Sequence, residues 1–360
     1  MGHVEGLIYQ ESGFIKGYLE FTDGIITNVG TGTYPIKNKP LAKGVILPLL
    51  TNYHTHIGDA IAHGRITYGN IESLVAPPNG LKFRILKESK PQDLINSMRE
   101  AAIEMLNSGT ATFCDFREEG LTGVEYLITA INALPINTII LGRPANLIYS
   151  KAELSTLLPK VEGIGISSIS DWEYSELEKL ASIVKQEKKL FALHACERMH
   201  EDMDKILDLK PDFLIHMTYG TEADFEKLSE LEIPVVLCIR TNIFFNNLPN
   251  ISKMLNNNVT LVLGTDNAMI NNPNLFDEAK ICFEYANKKG RLSPETLLKM
   301  LVLNFKKILN PNYYISLAPG TPSNFMVLNI PLSKPELTIA YGIKPENIKL
   351  ISIGTKIWKC

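Results

Sequence analysis

Two histidines one residue apart follow directly on an apolar run in "GVILPLLTNYHTHIGD", Gly44 to Asp59. On an extended strand, residues i and i+2 point to the same face. If the strand begun at Gly44 runs on to His56, the imidazoles of His54 and His56 lie side by side and can grip one metal ion. The chain has seven histidines, and two more close apolar runs, His194 in "LFALHACE" and His216 in "FLIHMTYG". Asp266 ends a third run in "LVLGTDNA", where a carboxylate is costly unless it has a partner. His3, His63 and His200 fall in the tail, a loop and a helix. A single His or Asp at a strand end is usually a cap or a satisfied core residue. Four histidines and an aspartate at the ends of four strands are better read as one shared metal site. Imidazole and carboxylate donors suit zinc, with iron or another divalent ion as the alternative.

These residues need a scaffold that carries strand ends to one rim. Short apolar strand candidates occur at Gly44–Leu50, Thr110–Asp115, Thr138–Arg143, Gly163–Ser168, Leu190–His194, Phe213–Thr218, Pro234–Arg240 and Thr260–Gly264. Helical patterns rich in Leu, Lys and Glu separate most of them, among them Pro91–Asn107, Ser175–Lys188, Glu222–Leu231 and Leu275–Lys288. Apolar strands alternating with helices indicate a parallel sheet buried on both faces. Eight of them over about 46–314 match the roughly 250 residues of a (β/α)8 TIM-type barrel, whose functional groups sit at the carboxyl ends of the strands. A doubly wound open sheet is the structural alternative. The ends read differently: Gly6–Tyr9, Gly13–Phe21, Gly24–Val29, Ser323–Leu328 and "KLISIGTKIW" are short, Gly-punctuated strand patterns. They predict a small β-sandwich domain built from 1–45 and 315–360, around a barrel of 46–314.

Composition sets outer limits. The 360 residues are 45% hydrophobic and 21% charged, with a formal net charge of −3, which gives no reason to expect nucleic acid or an anionic membrane as partner. The start, MGHVEGLIYQ, lacks a basic stretch followed by an apolar one, and no segment nears the roughly 18 apolar residues of a spanning helix. The five cysteines are scattered, without CxxC pairing, and suit reduced thiols. The expectation is a cytoplasmic protein, monomeric or a homo-oligomer, acting on a small molecule.

The ligand pattern resembles the amidohydrolase superfamily: HxH on strand 1, His on strands 5 and 6, Asp on strand 8. "GVILPLLTNYHTHIGD" and "VTLVLGTDNA" are similar to the family's strand-1 and strand-8 signatures. "APGTPSNFMVLNI" resembles its returning strand, with Ser323 and Asn324 near the usual Ala-Asp. The resemblance implies a metal held by His54, His56, His194 and Asp266. Binuclear members carry a lysine or glutamate at the end of strand 4, where this chain reads "VEGIGISSISDWEYSE"; Asp171 and Glu173 look like the start of the next helix, so a single metal is expected. Glu197, three past His194 in "HACE", resembles the HxxE of the aminohydrolase branch, the deaminases and dechlorinases of purines, pyrimidines, triazines, pterins and related heterocycles.

Such a reaction needs a nucleophile at neutral pH, which a divalent ion can make of water, and a proton for the ring nitrogen beside the attacked carbon. The resemblance assigns that proton to Glu197, proton transfer also to Asp266, and orientation of the nucleophile to His216. Arg117, Arg143 and Arg240 stand at expected strand ends and would suit a carboxylate or phosphate on the substrate, or else pair with Glu118, Glu119 and other local acids. Hydrolysis of a cyclic amide or a carbon–halogen bond is the rival chemistry, and a non-catalytic barrel the rival outside enzymes.

Overall fold

A computed structural model describes residues 2–66, 68–288, 292–304 and 317–359. The domain boundary expected at 314/315, and Cys360, lie outside the described residues. The chain divides into two compact units, one of 1–51, 105–112 and 274–360, the other of 52–104 and 113–273.

A nine-stranded sheet carries the site. In order it consists of Leu261–Leu263, Val235–Leu237, Phe213–His216, Leu190–Ala195, Gly163–Ile166, Asn137–Gly142, Thr110–Arg117, Leu50–His56 and Asp266–Asn267. Where their pairing is registered the neighbours are parallel, and helices such as Pro91–Asn107, Tyr174–Gln186 and Glu222–Glu230 separate them in the chain. Burial on both faces explains the unbroken apolar runs: every residue of Leu50–His56 and of Thr110–Arg117 is buried. The two short segments flanking Gly264 and Thr265 lie at opposite ends of the order. Leu261–Leu263 pairs with Val235–Leu237, and Asp266–Asn267 pairs with Thr55 and His56. The sheet therefore curls as in a TIM-type barrel, and the curl brings Asp266 beside the first strand.

The second sheet has seven strands drawn from both chain ends, in the order Lys356–Lys359, Ile348–Ile353, Phe325–Leu328, Lys43–Pro48, Gly2–Gln10, Gly13–Thr22, Ile25–Thr31. Phe21 and Phe325 lie on strands separated by two others, yet their rings meet at 5.3 Å, so this sheet also bends over its core of Val4, Ile8, Leu19, Ile46 and Val327.

The strand expected to run unbroken from Gly44 to His56 is divided. Lys43–Pro48 pairs with the end sheet and Leu50–His56 with the barrel sheet. Pro48 has no N–H to offer a ladder, and past it the chain bonds differently: Leu49 N–H donates to Asn324 O and Leu50 N–H to Gly109 O. His54 and His56 remain on one face of the second piece, as the i, i+2 argument requires. No helix among the described residues is long and apolar enough to cross a membrane.

Candidate metal centre and cleft

Four donor atoms converge where the first, fifth and eighth strands end. His54 Nε2 stands 3.2 Å from His194 Nε2 and 3.2 Å from Asp266 Oδ1. His56 Nε2 stands 3.4 Å from His194 Nε2 and 3.7 Å from the same carboxylate oxygen. Ligands at about 2.0–2.1 Å around a tetrahedral ion lie about 3.3–3.4 Å apart, so the spacing fits one such ion. Proton positions support the fit. His194 Nδ1 is 2.9 Å from Ile166 O; a carbonyl only accepts, so the proton is on Nδ1 and Nε2 presents a lone pair. His56 Nδ1 makes a bent 2.8 Å contact with Glu118 Oε1, which favours the same tautomer. Lone pairs facing one another and a carboxylate repel unless a cation lies among them.

The electrostatics agree. Burial pushes His54 down to about 3 and His194 well below the ordinary histidine range, so both are neutral at pH 7, as metal ligands would have to be. Burial alone would raise Asp266, but its contact with His54 and the nearby His216 and His56 hold it below the usual carboxylate range. The backbone is strained at this rim: φ is 58° at Asp266, 73° at His216 and 49° at Cys196, left-handed values that cost about 1–3 kcal/mol each in a non-glycine residue. Phe116 stacks edge-on against His54 at 4.5 Å and closes the floor.

His216 and Glu197 stand over the same atoms. His216 Nε2 is 3.4 Å from Glu197 Oε1 and 4.0 Å from Asp266 Oδ2. Burial raises the Glu197 pKa, with Asp266 adding to the rise and His216 opposing it, which favours a carboxyl that keeps its proton longer. A second grouping of donors, His216, Cys238 and Asp266, shares its aspartate with the first. Asp171 is taken up by Arg198 at 2.6 Å and Glu173 precedes the helix Tyr174–Gln186; neither is in the ligand cluster.

Glu118 is one of the acids expected to pair with the arginines, whereas Lys82 and Glu201 carried no signal in the sequence. Glu118 accepts from Lys82 Nζ at 2.6 Å and from Arg117 Nη2 at 2.9 Å while touching His56. Lys82, only 3% exposed, also reaches Asp59 at 3.2 Å. Glu201 accepts from the Ser168 hydroxyl and, at 2.7 Å, from Cys196 N–H, closing the turn that presents Glu197. An acidic residue five past a left-handed cysteine has no motif to announce it.

The three candidate arginines part company. Arg143 lines the cleft above the candidate metal ligands. Arg117 is buried between Asp115 and Glu118 and does not line it; Phe116 faces His54, so strand alternation turns Arg117 to the opposite side. Arg240 lies in the helix Ile239–Phe244, not at a strand end, and donates to the side chain and carbonyl of Asn272. One wall of the cleft is apolar, with Ile71, Val75, Pro77 and Phe245; the other is polar, with Arg143, Ser167, Ser168 and Arg198.

The sequence model of the amidohydrolase family matches residues 45–357. An uncharacterized protein of Methanocaldococcus jannaschii is 35% identical over 314 residues, 82% of this chain and 80% of its own. A 5-methylthioadenosine/S-adenosylhomocysteine deaminase of Caldanaerobacter subterraneus subsp. tengcongensis is 22% identical, covering 99% of this chain and 91% of its own. Among solved structures, an adenosine deaminase of Xanthomonas campestris with bound zinc superimposes with a TM-score of 0.82 at 16% identity, over 99% of this chain and 92% of that one.

Proposed function

This chain belongs to the amidohydrolase family, hydrolases of carbon–nitrogen bonds, and we propose that it removes an amino group from an aminated heterocycle by hydrolysis. The observation that carries the reading is the stacking of two layers over one point. Four ligand atoms lie below, and a buried carboxyl with a raised pKa, Glu197, stands above them beside His216. In this reading His54, His56, His194 and Asp266 hold one divalent ion, zinc or iron. When bound, the ion supplies a nucleophile from water at neutral pH.

The remaining steps belong to the chain. Glu197 gives its proton to the ring nitrogen next to the attacked carbon, so that the adduct is neutral rather than anionic. A carboxyl kept protonated by burial suits that transfer, since general acids work best with a pKa near the working pH. Asp266 takes the proton that water loses on attack and passes it to the leaving ammonia; as the C–N bond breaks and the carbonyl forms, the hydroxyl proton of the adduct returns to Glu197. His216, within reach of both carboxylates, holds the attacking oxygen in line with the ring. The apolar wall of Ile71, Val75, Pro77 and Phe245 offers a face for a planar ring and keeps bulk water off it. An eight-stranded barrel of 46–314, with 1–45 and 315–360 as a small β-sandwich domain, is the architecture we assign to this reading.

The test is Glu197→Gln. An amide keeps the shape but cannot shuttle a proton, and general acid–base catalysis contributes typically about 10²–10⁴-fold. Ammonia release from a panel of aminated purines, pyrimidines and pterins should fall by at least about a hundredfold with metal content unchanged. A Glu197→Gln protein that deaminates near the wild-type rate overturns the assignment and puts cyclic-amide hydrolysis ahead.

A further inference from the structure

The polar wall of the cleft contains a cation without a close partner. Arg143 is 4% exposed, yet its shortest side-chain contacts among the described residues are 3.4 Å from Nε to Gly165 O and 3.6 Å from Nη1 to Glu118 Oε1. Charge-assisted bonds are normally about 2.7–2.9 Å. Glu118 cannot come closer, because Lys82, Arg117 and His56 already hold both of its oxygens at 2.6–2.9 Å. Ser167 follows the Gly165–Ile166 stretch that Arg143 leans on. It is 7% exposed, and its hydroxyl oxygen is buried with no hydrogen-bond partner. Both side chains line the same cleft as His194 and Glu197. The nearby Arg198 differs: it is committed to Asp171 at 2.6 Å and Ser170 at 2.9 Å.

A fork of guanidinium donors beside an idle hydroxyl is a set of donors lacking an acceptor, and burying such groups is costly unless something bound supplies one. We infer that the substrate's ring carries an appended oxyanion, a carboxylate or a phosphate, which Arg143 and Ser167 hold on the polar wall of this cleft. The inference rests on the reading above in one respect, that the substrate enters here; it does not depend on which bond is broken. A guanidinium takes two oxygens of such a group at once, which orients the ring as well as holding it.

The experiment measures binding, not turnover. Metal-loaded Glu197→Gln protein is titrated by calorimetry with matched pairs: adenosine and adenosine 5′-monophosphate, cytidine and cytidine 5′-monophosphate, pterin and pterin-6-carboxylate. The anionic member of at least one pair should bind tenfold or more tighter, and the phosphate and carboxylate pairs tell the two oxyanions apart. Hydrogen bonds to charged groups are worth roughly a tenfold to hundredfold change in affinity, so adding Arg143→Gln should erase the preference. Ser167→Ala should reduce it, and Arg198→Gln should change it by less than about threefold. Metal content and melting curves of each variant show that it is folded. No preference in any pair, absence of binding included, overturns the proposal. So does an Arg143→Gln that weakens both members of a pair equally, since the arginine would then bind the ring itself. Absence of ammonia release by the wild-type protein, with the preference intact in the Glu197→Gln background, would instead count against the deaminase reading alone.

Discussion

Replacing Glu118 by Gln should weaken metal binding without touching a ligand atom. Burial would raise this carboxyl, but Lys82, His56 and Arg117 hold it well below the usual range, so it is ionised in the folded protein. An amide of the same shape has no charge, and it presents an N–H or a weaker acceptor to His56 Nδ1. Loss of a carboxylate that orients a metal-bound imidazole typically costs about 10–100-fold in metal affinity. A second effect runs beside it: Lys82 and Arg117 lose their closest anion. Lys82 keeps Asp59 at 3.2 Å and Arg117 keeps Asp115 at 3.5 Å. The penalty should therefore fall below the roughly 3–5 kcal/mol of a buried charge left alone, at about 2–3 kcal/mol. Competition with a chelator at 25 °C measures the first effect on folded protein, and denaturant unfolding of metal-free protein measures the second. Lys82→Met leaves the carboxylate on His56 and should keep metal affinity at or above the wild-type value. If Glu118→Gln loses stability but holds metal within about threefold of wild type, Glu118 serves the fold alone and the argument about His56 is wrong.

Two further outcomes follow from the same geometry. Elemental analysis of the purified protein should find about one divalent transition metal per chain, lost together with activity in His194→Ala; two equivalents would mean that His216, Cys238 and Asp266 hold a second ion. The metal-free protein should lose stability as the pH falls from about 6.5 toward 5. His54 and His194 have folded pKa values lowered by burial, so in that window only the unfolded chain takes up their protons. The slope should approach two protons, roughly 2.7 kcal/mol per pH unit, and a flat profile between pH 7 and 5 in urea unfolding would refute it.

The donor cluster of His54, His56, His194 and Asp266 was legible in the sequence because each residue depends on a local pattern. An apolar run gives the strand, its last residue gives the rim, and i, i+2 spacing gives the shared face. His194 and His216 needed no further information. Where strand limits were off by two or three residues, inference about direction failed with them. The strand expected to stop at Asp115 continues to Arg117, and only that extension, with Phe116 against His54, shows that Arg117 faces away from the cleft. The strand expected to reach Arg240 ends at Leu237, so Arg240 stands on a helix instead. The Gly44–His56 run looked like one strand because Pro48 interrupts its hydrogen bonding and not its hydrophobicity.

Glu118 was legible as a partner of Arg117; Lys82, Ser167 and Glu201 were not legible, and for Lys82 and Glu201 the reason is distance along the chain. Lys82 reaches Asp59 and Glu118 across 23 and 36 residues, and Ser168 reaches Glu201 across 33. Such pairings depend on how loops pack once the barrel exists, and no periodicity encodes them. A buried lysine in a loop sequence reads as solvated, because lysine almost always is. The two kinds of residue also do different work. In the proposed reading, those set by local pattern hold the ion and move protons. Those set by loop packing decide how strongly His56 binds, how Glu197 is presented and what the polar wall leaves unsatisfied at Arg143. The sequence offered three arginines for an oxyanion on the substrate, and the loop packing is what leaves Arg143 alone of them in the cleft without a close partner.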